Sequence, residues 1–338
     1  MAASLSIFNF KIRKLQIFRN KHIVIKFLGK LLVLIALVGV LDYTIGSLVE
    51  YLYFHQGHNV YTTTTYIINE TEEDILIFGS SRANHHYISE DLATRTGLSC
   101  YNAGCDGRSL FYDYALFKSA LSRSKPEKVI LDLRRTSMYY DQADYDRLSH
   151  LYPYYRDNES IREVVDLKGK IGLFVRMSKL YTYNSTILVI LKSFLSPRTD
   201  YNGYIPFTGN QTMDPGEISY DSLEYGVYDE SDPTMRLDEN KIDILNSFID
   251  NALQEEIDLY IIDSPYFYLQ KDSNNISLVK IKEILKDKNL RYINFANDEA
   301  FTLDPGLFGD PTHLNHFGAK KFTELISDII TRDMEECP

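Results

Sequence analysis

Cysteine is scarce in this sequence: Cys100, Cys105 and Cys337 are the three in 338 residues. An odd number at no metal-like spacing argues against a disulfide scaffold or a zinc site, so they read as small buried residues. Acid is missing from the first 41 positions, which carry Lys11, Arg13, Lys14, Arg19, Lys21, Lys26 and Lys30. Base is in deficit everywhere else, where 29 Lys and Arg face 47 Asp and Glu, a balance of −18. So acidic a chain makes a poor general binder of nucleic acid, whose phosphates need a basic surface. There is no internal repeat and no low-complexity block.

What is present begins with an apolar run, Leu31 to Val49, long enough at about 1.5 Å per residue to cross roughly 30 Å of hydrocarbon. Lys26 and Lys30 can snorkel at one end. Asp42 interrupts the run; a span shifted to Ile23–Leu41 leaves it at the outer interface, where it costs little. The long basic leader, the extended run and the lack of a clean small-x-small site favour an anchor over a cleaved signal peptide. The expected organisation is a cytoplasmic leader at 1–22, one transmembrane helix at 23–49, and a polar, Thr-rich, aperiodic stalk at 50–72. An acidic extracytoplasmic domain follows at 73–338.

That remainder is 44% hydrophobic when averaged with the anchor, enough to bury a sizeable core. Short apolar runs at Asp74–Ser80, Ser99–Gly104, Lys128–Leu133, Asp258–Phe267 and Arg291–Asn297 read as strands, four of them buried on both faces. Amphipathic patterns at Ser89–Thr96, Leu110–Arg123, Asp238–Glu255, Ile276–Lys286 and Phe317–Arg332 read as helices. Strand then helix, repeated, predicts an α/β three-layer sandwich around a central parallel sheet. About 100 residues, 136–236, separate the third and fourth strands, too many for a plain crossover. Rich in tyrosine, they read as an inserted cap over the strand ends.

Ligands of open parallel sheets bind outside the carboxyl ends of the strands, and three motifs fall at such ends or in the final loop. "GSSR" offers Ser80 and Ser81 at a strand-to-helix turn, where a hydroxyl and its own N–H are both displayed. "YNAGCDG" puts Asn102 and Gly104 after the second strand as candidate oxyanion donors. "GDPTHLNHFGAKKF" places Asp310 three residues before His313, so that a carboxylate can hold one imidazole nitrogen while the other faces a serine.

Together these three resemble the SGNH, or GDSL-type, hydrolase superfamily, in its membrane-anchored branch of cell-envelope acyltransferase and esterase proteins. The resemblance covers about 74–135 and 258–332, without anchor, stalk or cap. It implies a flavodoxin-like sandwich, Ser81 as nucleophile with Ser80 where the family has Asp, and Asp310 and His313 completing a triad. The N–H groups of Ser81 and Gly104 then form the oxyanion hole. The family's third-block asparagine is missing from "LDLRRTS", and Arg134, Arg135 and Asn102 are the candidates to replace it, the two arginines also as substrate contacts. His85 and His86 point about 100° apart, so at most one reaches the crevice; His316 falls on the surface of the last helix.

The implied activity is hydrolysis or transfer of an acyl group, acetyl by preference, on an envelope polysaccharide, with no metal and no cofactor. Its partners are the glycan, the inner-membrane bilayer and a membrane acyl-donor protein. The alternative is an SGNH fold kept for glycan binding or assembly without turnover.

Overall fold

The computed structural model describes residues 2–56, 60–169, 171–184, 186–195, 201–207, 212–213, 224–225 and 235–336. Five parallel strands form the main sheet: β1 Ile75–Gly79, β2 Cys100–Asn102, β3 Lys128–Asp132, β4 Asp258–Asp263 and β5 Tyr292–Asn294. Their spatial order is β2-β1-β3-β4-β5. This is the doubly wound, flavodoxin-like arrangement, whose switch point lies between β1 and β3. Gly79 pairs with Asp132, so the two strands end level at that point.

The period-two alternation of β1 sends Leu76 and Phe78 to one face of the sheet and Ile75 and Ile77 to the other. On the first face Phe78 meets Phe117 of α5 (Leu110–Leu121), which stacks on Phe248 of α10 (Glu239–Gln254) at 4.2 Å. On the second, Phe322 of α12 (His316–Glu336) packs edge-on against Tyr87, Phe295 and Phe301. Two cores on two faces make the three layers.

The segment expected to be a stalk is different. The N-terminal helix α1 runs Ala2–Phe54, and α2 (Val60–Asn69) follows it, burying Tyr61, Thr64 and Ile67 against α5. The reason lies in α5, where every residue but Lys118 and Leu121 is buried. A helix apolar all round needs cover on its outer side as well, and α2 supplies part of it. Residues 21–54 of α1 form the one described helix long and apolar enough to cross a membrane, with the most apolar part unburied.

The insert also sits differently from the expected cap. Its two ends are held together by the Tyr139–Leu237 bridge. Most of its described part, from α6 (Gln142–Arg147) through α7 (Glu159–Asp166), α8 (Ile171–Met177) and α9 (Ile187–Leu195), lies along the side of the sandwich. The apolar stripe of α7, Ile161, Val164 and Val165, closes the rest of the outer face of α5, while α9 packs on α1. Among the described residues of the insert, 201–207 return beside the first turn after β1, while Thr136, Ser137, Tyr140 and Asp144 stay at the strand ends around a cavity they share with Ser80. Cys100 and Cys105 are buried free thiols, and burial pushes the Cys105 thiol up to about 11; Cys337 lies outside the described residues.

Candidate active site

Gly79 ends β1 at φ 143°, a backbone setting that L side chains rarely adopt, and a Cβ there would sit 2.8 Å from the Asp132 carbonyl. The turn delivers Ser80 as an extended cap and Ser81 as the first residue of α3 (Ser81–His86). At the far end of the chain the antiparallel pair Phe308–Asp310 and His313–Leu314 carries the last motif back over this turn.

Three side chains meet there. His313 Nε2 is 2.7 Å from Ser81 Oγ, and His313 Nδ1 is 2.8 Å from Asp310 Oδ2. Asp310 Oδ1 accepts the backbone N–H groups of Thr312 and His313 at 2.7 and 2.8 Å and the Thr312 hydroxyl at 3.0 Å. Burial alone would raise the Asp310 pKa, but the His313 hydrogen bond and charge, aided by the Thr312 bonds, outweigh it and hold the carboxyl below its ordinary value. With Asp310 ionised, Nδ1 is the protonated nitrogen and Nε2 is left to accept from Ser81.

The expected oxyanion donors are not offered to a ligand. Gly104 N–H donates to Asn102 Oδ1 at 2.9 Å, and Asn102 Nδ2 donates to the Ala83 and Tyr87 carbonyls at 2.7 and 3.0 Å. Both residues are turned under α3: a Cβ on Gly104 would approach Asn84 N to 2.5 Å. Their hydrogen-bonding groups lock the second-strand turn to the helix. Ser81 N–H, in the first turn of α3, has no intrahelical acceptor.

The two arginines part ways. Arg135 is 1% exposed, donating from Nε to Asp263 at 3.0 Å and from Nη1 to Asp272 at 2.8 Å, so it is a structural residue and not the substrate contact expected of it. Arg134 is exposed and lines a cavity of about 560 Å³ at the β1/β3 switch point, together with Ser80, Arg108, Asp113, Asp132 and Lys241. Inside it, Arg108 Nε and Asp113 Oδ1 are buried without a hydrogen-bond partner, and burial pushes the Asp113 carboxyl up to about 8.

Both histidines of α3 pack near the imidazole of His313, with ring centroids 5.5 Å away for His85 and 6.3 Å for His86. His85 spans from the Ile205 carbonyl (2.6 Å) to Asp106 (3.0 Å), tying the returning insert to the second-strand turn. Phe207 covers His313 at 4.7 Å between centroids. His86 Nε2 accepts Leu314 N–H at 3.1 Å while its Nδ1 meets Ser264 Oγ at 2.9 Å, so it anchors the strand that bears His313. His316, expected at the surface, is half-buried, its Nδ1 3.2 Å from the Tyr204 hydroxyl.

Burial, followed by the charge of Arg82, holds the His86 imidazole well below the ordinary histidine range. The unfolded chain takes up that proton near pH 6.5 and the folded chain does not, so His86 costs stability progressively as pH falls below about 6.5. We expect the urea midpoint to drop more between pH 7.5 and 5.5 in the wild-type chain than in His86→Gln. Equal slopes would show that His86 is not the residue responsible.

Sequence reasoning missed the group beneath Ser81. Arg82, 2% exposed, donates to Asp132 at 3.0 Å, Asp263 at 2.7 Å and the Ser264 carbonyl at 3.2 Å, and lies over the Tyr266 ring. Asp132 also accepts the Tyr87 hydroxyl at 2.8 Å. The signal was there to read: two apolar strands, "KVILD" and "DLYIID", each end in an aspartate at the carboxyl edge.

No family model and no curated protein matches this sequence. Among solved structures, the chain is similar to a protein assigned to the G-D-S-L lipolytic family from Desulfitobacterium hafniense DCB-2, at 11% identity and a TM-score of 0.37, over 76% of this chain and 99% of that one. It is also similar to a protein assigned as an acylhydrolase from Bacteroides fragilis NCTC 9343, at 10% identity and a TM-score of 0.38, over 82% and 96% of the two chains.

Proposed function

We propose that this chain is a membrane-anchored serine esterase or O-acyltransferase, acting outside the cytoplasmic membrane on acyl esters, acetyl by preference, of an envelope glycan. The continuous hydrogen-bonded path from Ser81 through His313 to Asp310 carries the reading. Ser81 Oγ attacks the ester carbonyl carbon as His313 Nε2 takes its proton. The negative charge on the carbonyl oxygen is met by Ser81 N–H. Collapse of the tetrahedral species breaks the bond to the leaving alkoxide, which receives the proton from His313, and the acyl group stays on Ser81. Water or a glycan hydroxyl, deprotonated by His313, then attacks the acyl-serine and releases the serine with its proton restored.

Polar side chains of the switch-point cavity, Arg134 among them, suit a polyhydroxylated substrate. A basic leader before the apolar helix supports an N-terminus inside and the domain outside. An acyl donor held in a membrane protein is compatible with this placement.

One observation favours the second reading, an SGNH-like fold retained for glycan binding: the Gly104 N–H is already bonded to Asn102. A serine-reactive fluorophosphonate separates the two. The full chain in detergent should acquire one adduct on Ser81 that is lost in Ser81→Ala. Folded wild-type protein that takes up no label favours the binding role.

A further inference from the structure

From 167 to 199 the sequence has no acidic residue, while Lys168, Lys170, Arg176, Lys179, Lys192 and Arg198 are basic, against an otherwise acidic domain. Only residues 1–41, the leader together with most of the apolar span, form a longer stretch without acid.

Within this stretch α8 has two faces. Gly172 and Val175 are buried; a Cβ on Gly172 would meet the Tyr155 hydroxyl at 2.1 Å, and Arg156 donates to the Val175 carbonyl at 2.9 Å. Leu173, Phe174 and Met177 point away, 58%, 57% and 75% exposed. At i, i+1 and i+4 they make one apolar stripe.

The level of that stripe is set by α1. Directly after Met177, Ser178 Oγ and the N–H groups of Lys179 and Leu180 donate to the Asp42 carboxylate at 2.5, 2.7 and 3.2 Å. One turn on, Gly46 lets the two backbones touch: a Cβ there would lie 2.8 Å from Leu180 N. Lys179 reaches both Glu50, at 2.6 Å, and the face of Tyr43. Asp42 is the acid that ends the uncharged stretch of α1, so the α8 stripe, directly before Ser178, stands near the level of the outer end of that stretch, where Leu41 and Tyr43 are themselves 57% and 64% exposed.

We propose that α8 is an interfacial helix, with Leu173, Phe174 and Met177 entering the outer boundary of the bilayer that α1 crosses and Arg176 and Lys179 at the phosphate level. This rests on reading α1 as a membrane span. Continuity of the stripe with the apolar wall of α1, and the acid-free basic flanks, identify the occupant as lipid: apolar side chains gain by leaving water and cations by meeting anionic headgroups. Held by three turns of α1 and by α8, the domain lies against the membrane face instead of standing off on a stalk, so its site serves membrane-borne acyl donors or lipid-linked glycans.

Because the chain contains no tryptophan, one introduced indole reports its own surroundings. Phe174→Trp, Met177→Trp, Leu34→Trp in the span and Val279→Trp on α11 (Ile276–Asp287) all replace side chains more than half exposed. The full chain is reconstituted into vesicles of phosphatidylcholine and phosphatidylglycerol with plain or brominated acyl chains. We expect bromine to quench Leu34→Trp severalfold, to quench Phe174→Trp and Met177→Trp severalfold with a blue-shifted emission, and to leave Val279→Trp unchanged. Quenching at Leu34→Trp with both α8 variants behaving like Val279→Trp overturns the proposal while leaving the span intact. If Leu34→Trp also escapes quenching, the span and the interfacial helix fall together.

Discussion

Ser81→Ala is expected to lower kcat/KM for p-nitrophenyl acetate by about 10³-fold or more, and His313→Ala to do the same. The two substitutions remove one machine, so the double variant is expected to be no slower than either alone. Asp310→Asn should fall nearly as far, since an amide no longer favours the Nδ1–H tautomer that leaves Nε2 free to accept from Ser81. Each comparison needs circular dichroism to show the fold intact. Wild-type turnover no faster than Ser81→Ala would remove the hydrolytic reading for this ester and leave binding, or transfer in a partner-dependent site. Such an outcome has a structural antecedent, because the glycine amide expected to share the oxyanion is spent on Asn102, and one missing donor costs about a hundredfold or more in turnover.

Arg82→Met should destabilise the domain by about 3–5 kcal/mol, the range for removing one member of a buried ion pair and leaving the other without its partner. Two carboxylates are affected, Asp132 and Asp263, both with side chains wholly shielded from solvent. Asp263 retains Arg135 at 3.0 Å, and Asp132 retains the Tyr87 hydroxyl at 2.8 Å. The loss is read from urea unfolding at neutral pH against Arg134→Met, where the exposed neighbour should change stability by less than about 0.5 kcal/mol. A loss below about 1 kcal/mol for Arg82→Met would mean that solvent or rearranged side chains reach the two aspartates, and that the ion-pair group does not hold the strand ends together.

Such a group also explains why Ser81 can stand where it does. Ser81 precedes Arg82 on the first turn of α3, and Arg82 grips the ends of β3 and β4. The hydroxyl is therefore placed by ion pairs reaching across the sheet as well as by the Gly79 turn. Leu314 N–H, bonded to His86 of the same helix, places the histidine from the other side.

Local pattern in the sequence determined the strands, the principal helices and the three motifs, because each depends on residues near one another in the chain. Alternation and apolar runs mark buried strands, a glycine before Ser81 marks a turn that needs positive φ, and the spacing of Asp310 and His313 suits a short turn of chain. Tertiary structure alone decided whatever depends on packing between distant segments. Whether Asn102 and Gly104 face a substrate or α3 depends on how closely two turns approach. Arg134 and Arg135 are identical neighbours in the sequence, yet one lies in the cavity and the other beside Asp263. The Thr-rich segment after α1 has weak amphipathic pattern, and it becomes a packed helix because α5 is apolar on its outer side too. Likewise Asp42 interrupts an apolar run until the insert brings backbone N–H groups to it, a contact between residues more than 130 positions apart.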